Sequence, residues 1–153
     1  MVDVSDKPVT DREAVAEAVV TMNAAARRAI RRREVKKGDP LQTARLAGIL
    51  AAKRTADVIP LCHPLQLSHV DVVLRPTPRG YILRARVRTS GRTGVEMEAL
   101  VAVTVAALTL YDMLKAVDRG MVIGDVRVIE KRGGRSGVYK SEGKGQRAKG
   151  KGK

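Results

Sequence analysis

An aspartate and a lysine three residues apart follow a long apolar run, and their spacing allows acid–base chemistry. The run covers residues 100–111 and reads LVAVTVAALTLY; Asp112 and Lys115 come just after it. Steps of three and four residues stay on one helix face, so these two side chains share a stripe. A carboxylate beside an ammonium tunes the proton affinity of both, as general acid–base catalysis requires. From the residues alone, an ordinary surface ion pair is the plainer interpretation.

The same stripe contains a second acid, Glu98, near the start of the predicted helix. Glu98 precedes Asp112 by fourteen residues, which is about 21 Å along a helix axis at 1.5 Å per residue. Within one chain, these two carboxylates therefore cannot flank a single bond.

Cys62 and His63 form a second candidate pair, held between Pro60 and Pro64. Histidine exchanges protons near neutral pH, and a loop with a proline on each side would hold it in place. A packed cysteine beside a surface histidine explains the pair equally well. With one cysteine and two histidines in the chain, no usual zinc spacing is present, and we expect no metal.

Two basic segments could hold an anion such as phosphate. The segment KKGD at residues 36–39 comes just before a predicted helix start, and Lys131 precedes a GGRSG loop. Amides at a helix start and cationic side chains can bind phosphate together, although the spacing of a P-loop is missing. Taken singly, each segment is also explained as a solvated turn.

Charge and composition favour a small anionic ligand over nucleic acid. The net charge is +14, and residues 140–153 contribute six basic residues and one acid to it. With three tyrosines and no phenylalanine or tryptophan, the chain offers few platforms for stacked bases. We expect one catalytic domain over residues 1–139 with a flexible arm at 1–11, and a disordered basic tail at 140–153. The lone cysteine and the lack of a signal peptide or a bilayer-length apolar run predict a soluble, cytoplasmic protein.

Periodicity and helix signals predict the elements that must position these groups. Alternating apolar residues favour strands at 12–22, at 121–131 and in a hairpin whose turn is PTPRG. Helices are expected at 23–33, 40–55 and 95–118, from an Asn23 cap, the Asp39-Pro40 start and a stop at Gly120. The resulting order predicts an α+β fold, a ferredoxin-like antiparallel sheet covered by helices.

Together, the motifs resemble a known family. The stretches KKGDPLQTARLAGILAAKRTADVIPLCHPLQLSHV and RTGVEMEALVAVTVAALTLYDMLKAVDRGMVIGDVRVIEKRGGRSG resemble the cyclic pyranopterin monophosphate synthases, the molybdenum cofactor biosynthesis protein C family. The likeness runs from MVDVS at the start to about residue 139, and leaves out only the basic tail.

The resemblance implies a lyase that converts a cyclised dihydro-GTP to cyclic pyranopterin monophosphate with release of pyrophosphate. It needs no cofactor, acts after a radical-SAM GTP cyclase as functional partner, and forms a homohexamer, a trimer of dimers with sites between subunits. No membrane is involved. The resemblance assigns catalysis to Asp112, Lys115, Lys37 and His63, and substrate binding to Leu61, Cys62, His63, Met97, Glu98, Lys131 and Arg12.

Two rival hypotheses remain at this point. A basic nucleic-acid-binding module would use the tail and the arginines at 84, 86 and 88, and its binding would weaken steeply with salt. An inactive scaffold for the cyclase would form the oligomer without turnover.

Overall fold

The structure is a computed structural model that describes residues 1–141, so the predicted tail from residue 142 onward lies outside the described residues. Nine elements follow in chain order: β1 (Thr10–Thr21), α1 (Ala24–Arg32), α2 (Pro40–Ala52), α3 (Thr55–Val58), β2 (His69–Thr77), β3 (Gly80–Gly91), α4 (Glu96–Leu114), β4 (Val122–Arg132) and β5 (Tyr139–Lys140).

All the strands form one antiparallel sheet in the order β2-β3-β1-β4-β5. β1 lies in the middle, because it pairs with β3 on one side and with β4 on the other. Helices connect β1 to β2 and β3 to β4, so the first four strands follow the ferredoxin-like order. The predicted fold class is therefore confirmed.

Both ends of the described chain extend the sheet beyond the predicted limits. Thr10 and Asp11, expected in the arm, are the first residues of β1. At the other end, Lys140 pairs with Glu130, and the Ser141 amide donates to the Ile129 carbonyl at 2.9 Å. The short strand β5 was not predicted, since two residues are too few to show alternation.

Small residues allow the helices to lie close to the sheet. On β1, the side chains of Ala14, Ala16, Ala18 and Val20 are fully buried, as are those of Leu83 and Ala85 on β3. α4 contributes buried alanines of its own. The ambiguous alternation at 12–22 is thus a strand, as favoured, because every second residue faces the helix layer.

The predicted helix starts are confirmed, but two helix ends are wrong. The Asn23 side chain accepts from the Ala26 amide at 2.8 Å, and that of Asp39 accepts from the Leu41 amide at 2.9 Å. α2 ends at Ala52 rather than near residue 55, because the Thr55 hydroxyl donates a hydrogen bond to the Ala52 carbonyl at 3.0 Å and the separate helix α3 begins at Thr55.

α4 ends at Leu114, four residues before the predicted end. The amides of Val117 and Asp118 both donate to the Leu114 carbonyl, at 2.8 and 3.0 Å, which closes a turn. The Asp118 carboxylate then accepts from the amides of Asn23 and Gly120, so an aspartate rather than a glycine cap organises this end.

α4 is long and apolar enough to cross a membrane on length and composition alone. Half of its apolar window is buried inside this molecule, against the sheet and α2. It is therefore a core helix of the fold.

Gly48 sets the distance between α2 and α4, and Gly48→Ala is expected to destabilise the fold. A Cβ atom there would lie 2.8 Å from the Ala102 carbonyl oxygen and 3.2 Å from the Ala106 Cβ atom. Since backbone must shift, we expect a loss of about 1–3 kcal/mol in the free energy of unfolding, measured by urea denaturation. The exposed Gln42→Ala on the same helix is the control; equal stability of the two variants would contradict the close packing.

Candidate active site

Asp112 lies between two lysines at the C-terminal end of α4. Its Oδ1 atom is 2.8 Å from Lys115 Nζ, and its Oδ2 atom is 2.8 Å from Lys37 Nζ. The Lys37 ammonium also donates to the Asp112 carbonyl at 3.2 Å. The predicted neighbourhood of Asp112 and Lys115 is confirmed, and Lys37 joins them; we call these three residues the lysine–aspartate triad.

The loop between α1 and α2 positions Lys37 over the end of α4. Arg33 ends α1 in the left-handed region, and Gly38, at φ +108°, turns the chain into the Asp39 cap of α2. Val35 packs against the core between them. The two helix caps and the packing of Val35 thus determine the backbone position of Lys37.

The triad is solvent-accessible, with each side chain about half exposed. Hydrogen bonds from Lys115 and Lys37 lower the pKa of Asp112 to about 2, and the same carboxylate raises the pKa of Lys115. At neutral pH, Asp112 is therefore an anion that orients two ammonium groups. Both ammonium groups can hold an anion or donate a proton, and the aspartate can accept one once a ligand draws the lysines away.

A separate cavity surrounds the Cys62-His63 loop and the start of α4. Its volume is about 430 Å³, and Leu61, Cys62, His63, Glu96 and Met97 are among its lining residues. His63 Nε2 lies 2.8 Å from the Val2 carbonyl oxygen, which leaves Nδ1 as the proton acceptor when Nε2 carries the hydrogen. The N-terminal segment thus orients the predicted histidine.

Glu98 is buried just behind this cavity. Only 3% of the residue is exposed, and its Oε1 atom lies 3.9 Å from Cys62 Sγ. Its Oε2 atom is buried with no hydrogen-bond partner among the described residues. Burial raises the pKa of Glu98, and burial together with the Glu98 carboxylate raises the pKa of the Cys62 thiol. An unsatisfied buried carboxyl oxygen is a ready partner for a polar ligand.

Glu98→Gln is expected to remove a pH-dependent loss of stability. The folded pKa of Glu98 lies above its ordinary value of 4.5, so between these values the fold holds a proton that the unfolded chain has lost. Wild-type stability therefore falls as pH rises from 4.5 toward the folded pKa, and the loss persists above it. In thermal melts at several pH values, the melting temperature of the variant should rise relative to that of the wild type as pH increases. A difference in melting temperature that does not change with pH would contradict this.

A larger, basic cavity of about 500 Å³ adjoins the first one and shares Thr93, Gly94 and Glu96 with it. Six cationic side chains and two carboxylates line it: Lys7, Arg12, Arg92, Lys131, Arg132 and Arg135, with Glu13 and Glu96. We call it the basic cavity. An excess of four positive charges among the lining side chains suits a polyphosphate group.

The glycine loop after β4 closes the basic cavity against Arg12. Arg12 Nε donates to the Gly91 carbonyl at 2.9 Å. A Cβ atom on Gly134, at φ +72°, would lie 2.3 Å from Arg12 Nη1. The left-handed backbone at Gly134 favours glycine, so the loop packs on this guanidinium and the predicted anion-binding loop and Arg12 form one wall.

The predicted site residues lie in two groups at opposite ends of α4. The proposed binding residues, with His63, lie around the two cavities at the N-terminal end, whereas the lysine–aspartate triad lies at the C-terminal end. Since α4 is continuous from Glu96 to Leu114, the separation of about 21 Å between residues 98 and 112 holds.

Glu96, Lys7, Arg92 and Arg135 line the cavities but were not predicted from the sequence. Glu96 pairs with Lys131 at 3.1 Å and borders both cavities. The signal was present in VEMEAL, where two glutamates at the helix start must point to different sides. The other three lie in segments that look like solvated loops until the chain folds.

Among residues 1–141, no three His, Cys, Asp or Glu side chains come together as a metal site requires.

Comparison with known proteins identifies the family of this chain. A family model described as the MoaC family matches residues 1–134. A curated protein from Parvibaculum lavamentivorans is 57% identical over 144 residues, 93% of this chain and 90% of that protein. Proteins from Methylobacterium sp. (strain 4-46) and Methylobacterium nodulans are 58% and 57% identical over the same shares. All three are named cyclic pyranopterin monophosphate synthase. The resemblance indicated by the motifs is confirmed, and the chain belongs to the MoaC family.

Proposed function

We propose that this protein is a cyclic pyranopterin monophosphate synthase, a lyase of molybdenum cofactor biosynthesis. It converts a cyclised dihydro-GTP to cyclic pyranopterin monophosphate and releases pyrophosphate. The observation that carries the proposal is the basic cavity, with six cationic side chains, directly beside the smaller Cys62-His63 cavity. A triphosphate and its attached ring system need two such neighbouring spaces. Relatives of that name, nearly 60% identical to this chain, support the assignment.

The two cavities divide the substrate between them. Lys131, Arg12 and their neighbours hold the triphosphate, while Leu61, Cys62, His63, Met97 and the buried Glu98 contact the ring system. The Glu98 oxygen that has no partner within residues 1–141 then gains a hydrogen bond from the substrate.

The reaction requires proton transfers at several atoms. To form a cyclic monophosphate, a substrate hydroxyl loses its proton and its oxygen attacks the α-phosphorus, and pyrophosphate leaves with the electron pair of the broken P–O bond. Ring opening and reclosure require further proton donors and acceptors. Asp112, Lys115, Lys37 and His63 supply these roles, and the lysines stabilise the charge that develops on phosphate oxygens.

A second copy of the chain brings the two groups together. Between them, α4 presents Val101, Val105 and Leu108 outward, and Leu108 is 54% exposed. Val105 lies midway between residues 98 and 112, so a twofold axis near it would pair the α4 helices antiparallel. Each triad would then face the binding cavities of the other copy, with two equivalent sites per dimer. A hexamer made of three such dimers is the assembly that the family resemblance implies.

The proposal extends to the cellular setting. A radical-SAM GTP cyclase supplies the cyclised substrate as functional partner, and the protein acts in the cytoplasm. Its soluble fold, with the apolar α4 in the core, supports that setting.

The test is direct turnover of the substrate. Purified protein is incubated with the cyclised dihydro-GTP, and the product is oxidised and measured as a fluorescent pterin together with released pyrophosphate. The proposal expects one pyrophosphate per pterin. Binding of the substrate without turnover would instead identify an inactive scaffold and overturn the proposal.

A further inference from the structure

α1 is an amphipathic helix with a strongly basic outer side. Ala26, Ala29 and Ile30 are buried against the core. Its outward positions and the turn that follows bear five exposed cations, which we call the α1 basic face: Arg28, Arg31, Arg32, Arg33 and Lys36. Counting from residue 27 to residue 37, seven basic side chains and one acid supply +6 of the net +14.

The α1 basic face is almost free of internal ion pairs. Within residues 1–141, its one ion pair joins Arg32 to Glu34 at 4.0 Å, with both side chains more than half exposed. By contrast, the arginines of β3 are held by acids on β1: Arg84 pairs with Glu17 at 2.7 Å, and Arg86 and Arg88 both pair with Glu13. The fold thus gives the three arginines of β3 acidic partners on β1, whereas on α1 only Arg32 has an ion pair among the described residues.

Both ends of α1 are tied to the C-terminal end of α4, beside the triad. The Asn23 amide, at the start of α1, donates to Asp118 Oδ2 at 2.7 Å. After the end of α1, Lys37 reaches Asp112 at 2.8 Å. α1 is only about 14 Å long at 1.5 Å per residue, which is between one and two Debye lengths at 0.1 M salt.

We propose that the α1 basic face is an electrostatic capture surface for the polyphosphate group of the substrate, on its way to the basic cavity that the proposed dimer places opposite the lysine–aspartate triad. This inference rests on the proposed function and adds residues that the site itself does not contain. The face carries no aromatic or large apolar side chain, so it fits a small mobile polyanion rather than stacked bases or a lipid surface. A uniform positive field raises the local concentration of such a ligand without fixing its orientation.

The test removes two charges that make no ion pair in the described chain, in the variant Arg28→Gln/Arg31→Gln. Its matched control is Arg75→Gln/Lys140→Gln, which removes the same charge from exposed positions on β2 and β5 that make no ion pair among the described residues. At ionic strengths of about 10 mM, the test variant is expected to lose roughly three- to tenfold in kcat/KM with kcat unchanged. The difference should vanish near 0.5 M salt, where the Debye length is only about 4 Å. Thermal melts confirm that both variants are folded.

Tripolyphosphate binding, measured by calorimetry in the same buffers, provides a readout that does not need turnover. The inference expects weaker low-salt binding for the test variant than for the control. Equal losses in the two variants, or wild-type salt dependence in the test variant, would overturn it. Loss of duplex DNA binding with unchanged kcat/KM would assign the face to nucleic acid instead. If the wild type fails to form pterin, the proposed function is rejected. The α1 basic face is then tested by tripolyphosphate binding alone.

Discussion

Asp112→Asn is expected to lower pterin formation by about 10²- to 10⁴-fold, the usual contribution of a positioned acid or base. The amide keeps the shape of the side chain but removes the charge that orients Lys37 and Lys115. Product formation under saturating substrate measures the effect. Because the triad is about half exposed, the loss of its ion pairs should barely change thermal stability.

Asp71→Asn is the matched control for this prediction. Asp71 is also a partly exposed carboxylate, and it pairs with Arg45 at 3.4 Å, but it lies on β2 away from both groups of site residues. We expect the control to keep near-wild-type activity. Wild-type turnover in Asp112→Asn, or an equal loss in Asp71→Asn, would remove Asp112 from the mechanism.

Two inactive variants are expected to restore activity when they share an oligomer. Glu98→Gln disables the binding end of α4, and Asp112→Asn disables the triad end. In a mixed dimer, one of the two composite sites receives an intact binding end from one chain and an intact triad from the other. Random co-assembly should therefore recover about one quarter of wild-type turnover, measured after the two variants are unfolded and refolded together.

The control for this complementation carries both substitutions in one chain. When mixed with the wild type, the double variant leaves every mixed dimer without an intact site, so activity should fall below that of the wild-type subunits alone. If the site lay within a single chain, the two single variants would stay inactive in any mixture, and the double variant would leave wild-type subunits unaffected.

Local patterns in the sequence were enough to predict most of the fold. Alternation identified β1 and the β2–β3 hairpin, and capping signals located the starts of α1 and α2, because these depend on neighbours within a few residues. The ends of α2 and α4 were missed, because each depends on a hydrogen bond between a side chain and the backbone across a turn. The Thr55 hydroxyl donates to a carbonyl at the end of α2, and the Asp118 carboxylate accepts from an amide after α4. β5 exists only because β4 offers a free edge.

The candidate site was only partly predictable. Helix spacing alone placed Asp112 beside Lys115, and it also showed that Glu98 is too far away to join them. Lys37, in contrast, reaches Asp112 from 75 residues earlier, and Glu96 meets Lys131 from 35 residues earlier. Periodicity within a segment cannot predict contacts between residues so far apart in the chain. The catalytic role of Lys37 was therefore predicted only through the family resemblance, and Glu96 was missed.

By itself, the sequence determined the elements, the basic character and the split of the site along one helix, because helix geometry converts spacing directly into distance. Only the tertiary structure decided which cations are free and which are neutralised. Arg84 and Arg28 look alike in the sequence, yet the sheet register brings Arg84 to Glu17, while α1 leaves the side chain of Arg28 exposed to solvent. Which charged side chains form ion pairs depends on which strands are neighbours in the sheet. The order of the strands is determined by contacts between residues far apart in the sequence.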